Sequence, residues 1–162
     1  MNYHPVTKQI TDLLIKNNLW FEKFEHVPVR TSEEAAKVRS GYTIKQGAKA
    51  LIVRVKRSET DKQFVMLVIP GDLRFDNKKL KTHFTAKDIR FATEEEISQL
   101  TGGVEIGGVP PLGNLFNLQV IIDPKVFENE KIIFNAGDRR FSVAMKSADY
   151  KNLVNPMMVD IT

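Results

Sequence analysis

The sequence predicts a mixed α+β domain, and three observations lead there. Apolar runs of strand length, rich in Val, Ile and Phe, recur along the chain. Between them lie short amphipathic segments that open with helix caps. The two kinds follow one another without the regular βαβ rhythm of a doubly wound sheet, and 162 residues with no repeat, linker or low-complexity tract suit one domain spanning residues 1–162.

In chain order, Val6 to Asn17 carries Ile10, Leu13, Leu14 and Ile15 at helical spacing, with Pro5 suited to the first turn. LWFEKFEHV then alternates apolar and charged residues as a half-buried strand does. Thr31 or Ser32 supplies an N-cap and Glu33 and Glu34 the acids of a first turn, for a short helix to about Val38 that Gly41 ends. Ala48 to Val55 and Phe64 to Ile69 read as strands of a hairpin whose surface loop is RSETDKQ. Asn77 to His83 reads as a short basic helix, and Thr93 caps another that stops near Gly102. Leu118 to Ile122, Lys131 to Asn135 and Phe141 to Ala144 are three further strands, Ser147 to Leu153 a helix, and Met157 to Ile161 a closing strand.

Composition narrows the chemistry. With no cysteine there is no disulfide, thiol nucleophile or Cys-based zinc site, and three scattered histidines make a poor metal set, so neither a metal nor another cofactor is expected. The first residues lack the apolar run of a signal peptide, and no stretch approaches the ~20 apolar residues of a membrane span. A soluble, cytoplasmic protein with no membrane partner is the expectation. The net charge of +4 helps a polyanion approach but is too small to name one. Much of the positive charge lies between Lys37 and Lys87, where a solvated face is the plain reading. P-loop, dinucleotide-binding, α/β-hydrolase and zincin motifs are missing from the sequence.

Two features remain. Residues Val104 to Asn114 read VEIGGVPPLGN, a segment whose glycines free the backbone and whose prolines fix it. It reads either as a turn between strands or as a loop of fixed shape with the amides of Gly107, Gly108 and Val109 facing a ligand. Lys49, in QGAKALIV, sits at the start of an apolar strand. It either snorkels to solvent or is held at the lip of a pocket for a phosphate or a developing oxyanion.

Taken together, HVPVRTSEEAAKV, QGAKALIV, VMLVIPGDLRFDNKKLK, ATEEEISQLTGGVEIGGVPPLG and FNAGDRRFSV resemble, in this order, the YbaK family, also called the prolyl-tRNA synthetase associated or editing-insertion domain. The likeness runs from about Trp20 to Leu153. It implies a mixed, strongly curved central sheet surrounded by helices, and a trans-editing deacylase that hydrolyses the ester of a wrongly charged tRNA. The family's functional lysine falls on Lys49, its GxxxP loop on Gly107 to Pro111, and the glycine of a later strand-turn motif on Gly137. Ala50 departs from the pattern, since several subfamilies carry threonine or asparagine after the lysine.

An aminoacyl ester is already activated, so the resemblance asks for little machinery: a positioned ester, a held water and donors for the carbonyl oxygen. Gly107, Gly108 and Val109 would supply amides, Pro110 and Pro111 would keep the loop in shape, and Lys49 would anchor the terminal phosphate or polarise the carbonyl. Asp138 either orients water or the substrate amine, or caps a turn after Gly137, and Asp72 is similar. His26 either stacks on adenine or packs where the strand meets Pro28. The expected substrate is tRNA bearing a small amino acid, Ala, Cys, Ser or Thr, read at the acceptor end; a synthetase is a further partner the resemblance allows, and DNA is not one. Competing readings are a non-catalytic tRNA- or synthetase-binding accessory module and a small-molecule esterase built on Asp72 or Asp138.

Overall fold

The run Phe64 to Pro70 is apolar at every position because its strand is buried on both faces. Residues 2–162 are described by a computed structural model. In chain order its elements are α1 (Pro5–Lys16), β1 (Phe21–Glu25), α2 (Ser32–Val38), β2 (Ala48–Ser58), β3 (Asp61–Pro70), α3 (Asn77–Phe84), β4 (Asp88–Phe91), α4 (Glu94–Thr101), β5 (Gln119–Ile122), β6 (Lys131–Asp138), β7 (Phe141–Lys146), α5 (Ser147–Val154) and β8 (Met157–Met158). Short 3-10 turns at Ile44–Gln46, Gly113–Phe116 and Pro124–Glu128 complete the connections.

The strands form a five-stranded sheet ordered β4-β2-β3-β5-β8 and a three-stranded sheet ordered β1-β7-β6, joined by a parallel bridge between Gly47 and Ile133. The larger sheet is mixed: β3 runs antiparallel to β2 but parallel to β5, and β5 parallel to β8. Side-chain alternation sorts its residues into two cores. Ile52, Met66, Val68, Val120 and Ile122 pack towards α1 and the smaller sheet, while Val53, Leu67, Ile69 and Ile121 pack against Leu80 and Phe84 of α3.

Local chemistry sets the helix ends. Thr31 Oγ1 accepts from the Glu34 amide at 3.1 Å to open α2, and Thr93 with Glu96 forms a capping box on α4. Gly102, at φ 71°, ends α4 in the left-handed conformation. His4 caps α1: its Nδ1 accepts from the Val6 amide at 3.1 Å and its Nε2 donates to the Gly102 carbonyl at 2.8 Å.

Several sequence expectations are corrected. Ile15 is 65% exposed and lies off the buried stripe of Val6, Ile10 and Leu14. Helix α2 ends at Val38, and Gly41 belongs to the following turn. The RSETDKQ segment is mostly strand, with only Glu59 and Thr60 in the turn, because Arg57 reaches across to Gln63 at 2.9 Å and a polar hairpin end needs no core. The short edge strand β4 was missed: of DIRF only Ile89 is buried, too little for a periodic signal. The closing strand shrinks to two residues because the buried Asp123 carboxylate, not a ladder, holds the Ile161 and Thr162 amides, each at 3.0 Å.

Strand β6 bulges between Asn135 and Asp138, and Gly137 takes φ 91° there. A Cβ on Gly137 would stand 3.1 Å from the Thr7 amide nitrogen and Oγ1 at the start of α1. Gly137→Ala is therefore expected to cost about 2 kcal/mol, roughly 4–8 °C in Tm by thermal denaturation. Among the described residues, no helix is long and apolar enough to cross a membrane.

Candidate active site

A cavity of about 340 Å³ opens where α2, the start of β2, the end of β4 and the loop Ile106 to Val109 meet. Five alanines form part of its wall, Ala35 and Ala36 from α2, Ala48 and Ala50 from β2 and Ala92 after β4, beside the larger Leu51, Ile52, Ile97 and Phe134. Phe91 and Ile106, 58% and 49% exposed, stand at its mouth.

Lys49 lines this cavity. Period-two alternation puts it on the face of β2 shared by Leu51 and Val53, opposite Ala48, Ala50 and Ile52, so its amine leaves at the rim rather than through the floor. There its Nζ donates to the Leu73 carbonyl at 2.7 Å. Partial burial holds its pKa below the ordinary lysine value; Arg74 presses the same way, while Glu33 and Asp72 oppose. Two of the three ammonium protons remain for an anion.

The loop is built as a rigid bracket. Gly107 and Val109 line the cavity, and among the described residues their amides have no protein acceptor. Gly107 holds φ 88°. Gly108 differs from the sequence expectation: its amide donates to the Glu105 carbonyl at 2.9 Å, closing a turn, and its own carbonyl accepts from the Gly137 amide at 2.8 Å. A Cβ there would meet the Asp138 backbone at 3.3 Å, so this glycine serves the contact with β6. Pro110 and Pro111 are buried behind the cavity, and the Pro111 carbonyl accepts from the buried Tyr150 hydroxyl at 2.5 Å.

Of the two readings of Asp138, the bonds seen are those of the turn cap. Its carboxylate accepts from the Arg140 amide and Nε at 2.9 Å each and from Nη2 at 2.8 Å, and that guanidinium holds the carboxyl below the usual aspartate range. It borders a separate cleft beside Asn2 and His4, not the cavity that Lys49 lines. Gly137 borders the same cleft and braces the loop from behind. Asp72 is exposed and sits near Lys49 outside the lining. His26 lies outside the cavity lining, with Nδ1 donating to the Val27 carbonyl at 2.8 Å and Nε2 2.8 Å from Ser142 Oγ, whose own hydroxyl donates to Asn135 Oδ1 at 3.0 Å. Burial pushes its pKa down, with Arg39 adding to the effect and the Val27 carbonyl opposing it.

Behind the loop lies a polar network that the sequence reading missed. Asn135 Nδ2 donates to the Gly107 carbonyl at 2.6 Å, while Asn135 Oδ1 accepts from Arg39 Nη2 at 2.9 Å. Arg39 Nε donates to Ser142 Oγ at 3.0 Å. Arg39 is only 7% exposed, lines the cavity, and among the described residues has no carboxylate within salt-bridge distance. Burial lowers its pKa to about 10, which leaves it charged at neutral pH. Asn135 carried a signal, a polar residue inside the apolar run KIIFNA; Arg39 carried none, since its partners lie about a hundred residues away in sequence.

Comparison with known proteins agrees with this geometry. Residues 26–153 match the family profile described as an aminoacyl-tRNA editing domain. The multifunctional Ser/Thr-tRNA deacylase ProXp-y of Escherichia coli is 32% identical over 154 residues, covering 94% of this chain and 90% of that protein. A proline–tRNA ligase of a Sulfurihydrogenibium species is 36% identical over 81 residues, half of this chain and 14% of the ligase. A crystal structure described as a candidate trans-editing enzyme for prolyl tRNA synthetase superposes with a TM-score of 0.79 at 24% identity, covering 99% of both chains, a likeness of fold. With the family profile spanning most of the chain and a relative of nearly full coverage, the chain belongs to the aminoacyl-tRNA editing domain family.

Proposed function

We propose that this editing domain acts free-standing on tRNA bearing a small amino acid, reading the acceptor end, with seryl and threonyl esters its first substrates. The reaction class follows from family membership: the protein is a hydrolase acting on the aminoacyl-tRNA ester bond. One observation carries the substrate class, the cavity of about 340 Å³ walled in part by alanines, at the low end of the roughly 300–1,000 Å³ usual for ligand pockets. It accommodates an aminoacyl ester with a small side chain, the size range where synthetase pockets discriminate worst, by about 1–3 kcal/mol per methylene. The deacylase relative, named for Ser and Thr, supports the same choice.

Within this reading each group has a place. The ester carbonyl lies against Gly107 and Val109, whose amides have no competing acceptor. Lys49, tied to the rim by Leu73, takes the terminal phosphate with its remaining protons rather than reaching the carbonyl. Phe91 and Ile106 give the terminal base an apolar lip. Fusion of related sequence into proline–tRNA ligases favours a synthetase as a transient partner.

The test is single-turnover deacylation of tRNAs charged with Ala, Cys, Ser or Thr. Release of Ser or Thr well above the spontaneous rate is the expected result. If no member of the panel is hydrolysed faster than in buffer, the accessory-module reading replaces this one.

A further inference from the structure

A buried cation without a carboxylate is costly to a fold, and Arg39 is such a cation. Among the described residues, only two of its five N–H donors are used, by Ser142 and Asn135. Nη1 has no protein partner among the described residues, and the cavity keeps its front open: a Cβ on Gly47, itself a lining residue, would stand 3.8 Å from it. The guanidinium is also fixed relative to the loop, since Asn135 grips Arg39 at 2.9 Å with one atom and the Gly107 carbonyl at 2.6 Å with another.

We propose that Arg39 is an oxyanion donor for the deacylation, its Nη1 facing the ester carbonyl oxygen together with the Gly107 and Val109 amides. This rests on the deacylase reading. In the hydrolysis, the oxygen of water bonds to the carbonyl carbon and the carbonyl oxygen becomes an oxyanion. Collapse then breaks the bond to the ribose oxygen; one water proton ends on that oxygen, the other is released to solvent, and the amino acid leaves as a carboxylate. Of the groups on the substrate, the α-ammonium is repelled by a guanidinium, and a side-chain hydroxyl gains no charge as the reaction proceeds. The carbonyl oxygen gains charge as the tetrahedral centre forms, before the ribose oxygen gains any, so a donor facing it favours the transition state over the ground state, which is what a catalytic contact requires. A guanidinium already desolvated and held by two hydrogen bonds needs little reorganisation when that charge appears.

The experiment compares two non-hydrolysable ligands by calorimetry: an adenosyl α-aminophosphonate monoester carrying the serine side chain, tetrahedral and anionic, and the planar amide 3′-seryl-amido-3′-deoxyadenosine. The parent protein is expected to bind the phosphonate on the order of 100-fold tighter, and Arg39→Gln to lower that ratio roughly tenfold, the Gly107 and Val109 amides keeping the rest. A purely structural role for Arg39 would weaken both ligands alike and leave the ratio intact, which overturns the proposal. A second measurement needs no variant: in the parent, the Arg39 Nε–Hε resonance is expected to shift with the phosphonate far more than with the amide, and equal shifts overturn it. Parent turnover on the tRNA panel separates the two claims. Turnover with an unchanged ratio in Arg39→Gln removes only the role of Arg39, whereas no turnover removes the deacylase reading and this inference with it.

Discussion

Lys49→Ala is expected to slow deacylation of a charged tRNA roughly 10- to 150-fold, the loss of a charge-assisted contact of about 1.5–3 kcal/mol. Its place in the cavity lining, with its amine tethered to the Leu73 carbonyl at 2.7 Å, supports the proposed contact with a phosphate. A ligand lacking the phosphate distinguishes the two roles. On a simple aminoacyl-adenosine, without a 5′-phosphate, Lys49→Ala should be within a few-fold of the parent. An equal loss on both substrates would move the amine to the carbonyl and contradict the assignment. Lys49→Arg adds a second check: it keeps the charge, so a phosphate role predicts substantial retention, although a guanidinium is not an ammonium on a longer stem. The Leu73 carbonyl that the alanine variant leaves behind is at the rim, where water can replace the lost donor, so the change in Tm should stay small.

How much of this was legible in the sequence depends on how local the cause is. Thr31, Thr93 and Gly102 mark helix ends through bonds to backbone groups a few residues away, and those boundaries follow from the sequence. The same locality made VEIGGVPPLGN readable as a loop of fixed shape. What it left open was which glycine serves which purpose. Gly107 faces the cavity at positive φ, while Gly108 spends both its backbone groups on Glu105 and Gly137. That split is decided by a strand some thirty residues later in the chain, and nothing within the loop encodes it. Arg39 is the extreme case. It lies in a stretch rich in lysine and arginine that a solvated face explains, and what turns this one charge inward is its bonding to Asn135 of β6 and Ser142 of β7. Asp138 and His26 each left two readings open in the sequence, and their bonds to Arg140 and Ser142 match the structural one of the pair.

Gly107→Ala tests the loop itself and is expected to lower kcat on the order of 100-fold while shifting Tm by only a few degrees. The backbone at φ 88° is one an L side chain adopts under strain of about 1–3 kcal/mol. The added Cβ would stand 3.3 Å from Cδ of Arg139, a side chain already engaged with Glu105 at 3.0 Å. Relief is blocked on both sides. Asn135 holds the Gly107 carbonyl, the Gly137 amide holds the Gly108 carbonyl, and Pro110 and Pro111 are buried behind. The remaining freedom is rotation of the peptide plane between Ile106 and Gly107, which carries the Gly107 amide proposed to face the ester. A displacement near 1 Å suffices for the predicted loss, because donors placed for a developing oxyanion act only at hydrogen-bond distance. The expected signature is a fall in kcat with KM nearly unchanged, since substrate binding draws on the rim and the cavity walls instead. Parent-like kcat in a Gly107→Ala protein whose Tm has dropped would mean the strain is absorbed without moving the amides, and the loop would then be a structural turn rather than part of the chemistry.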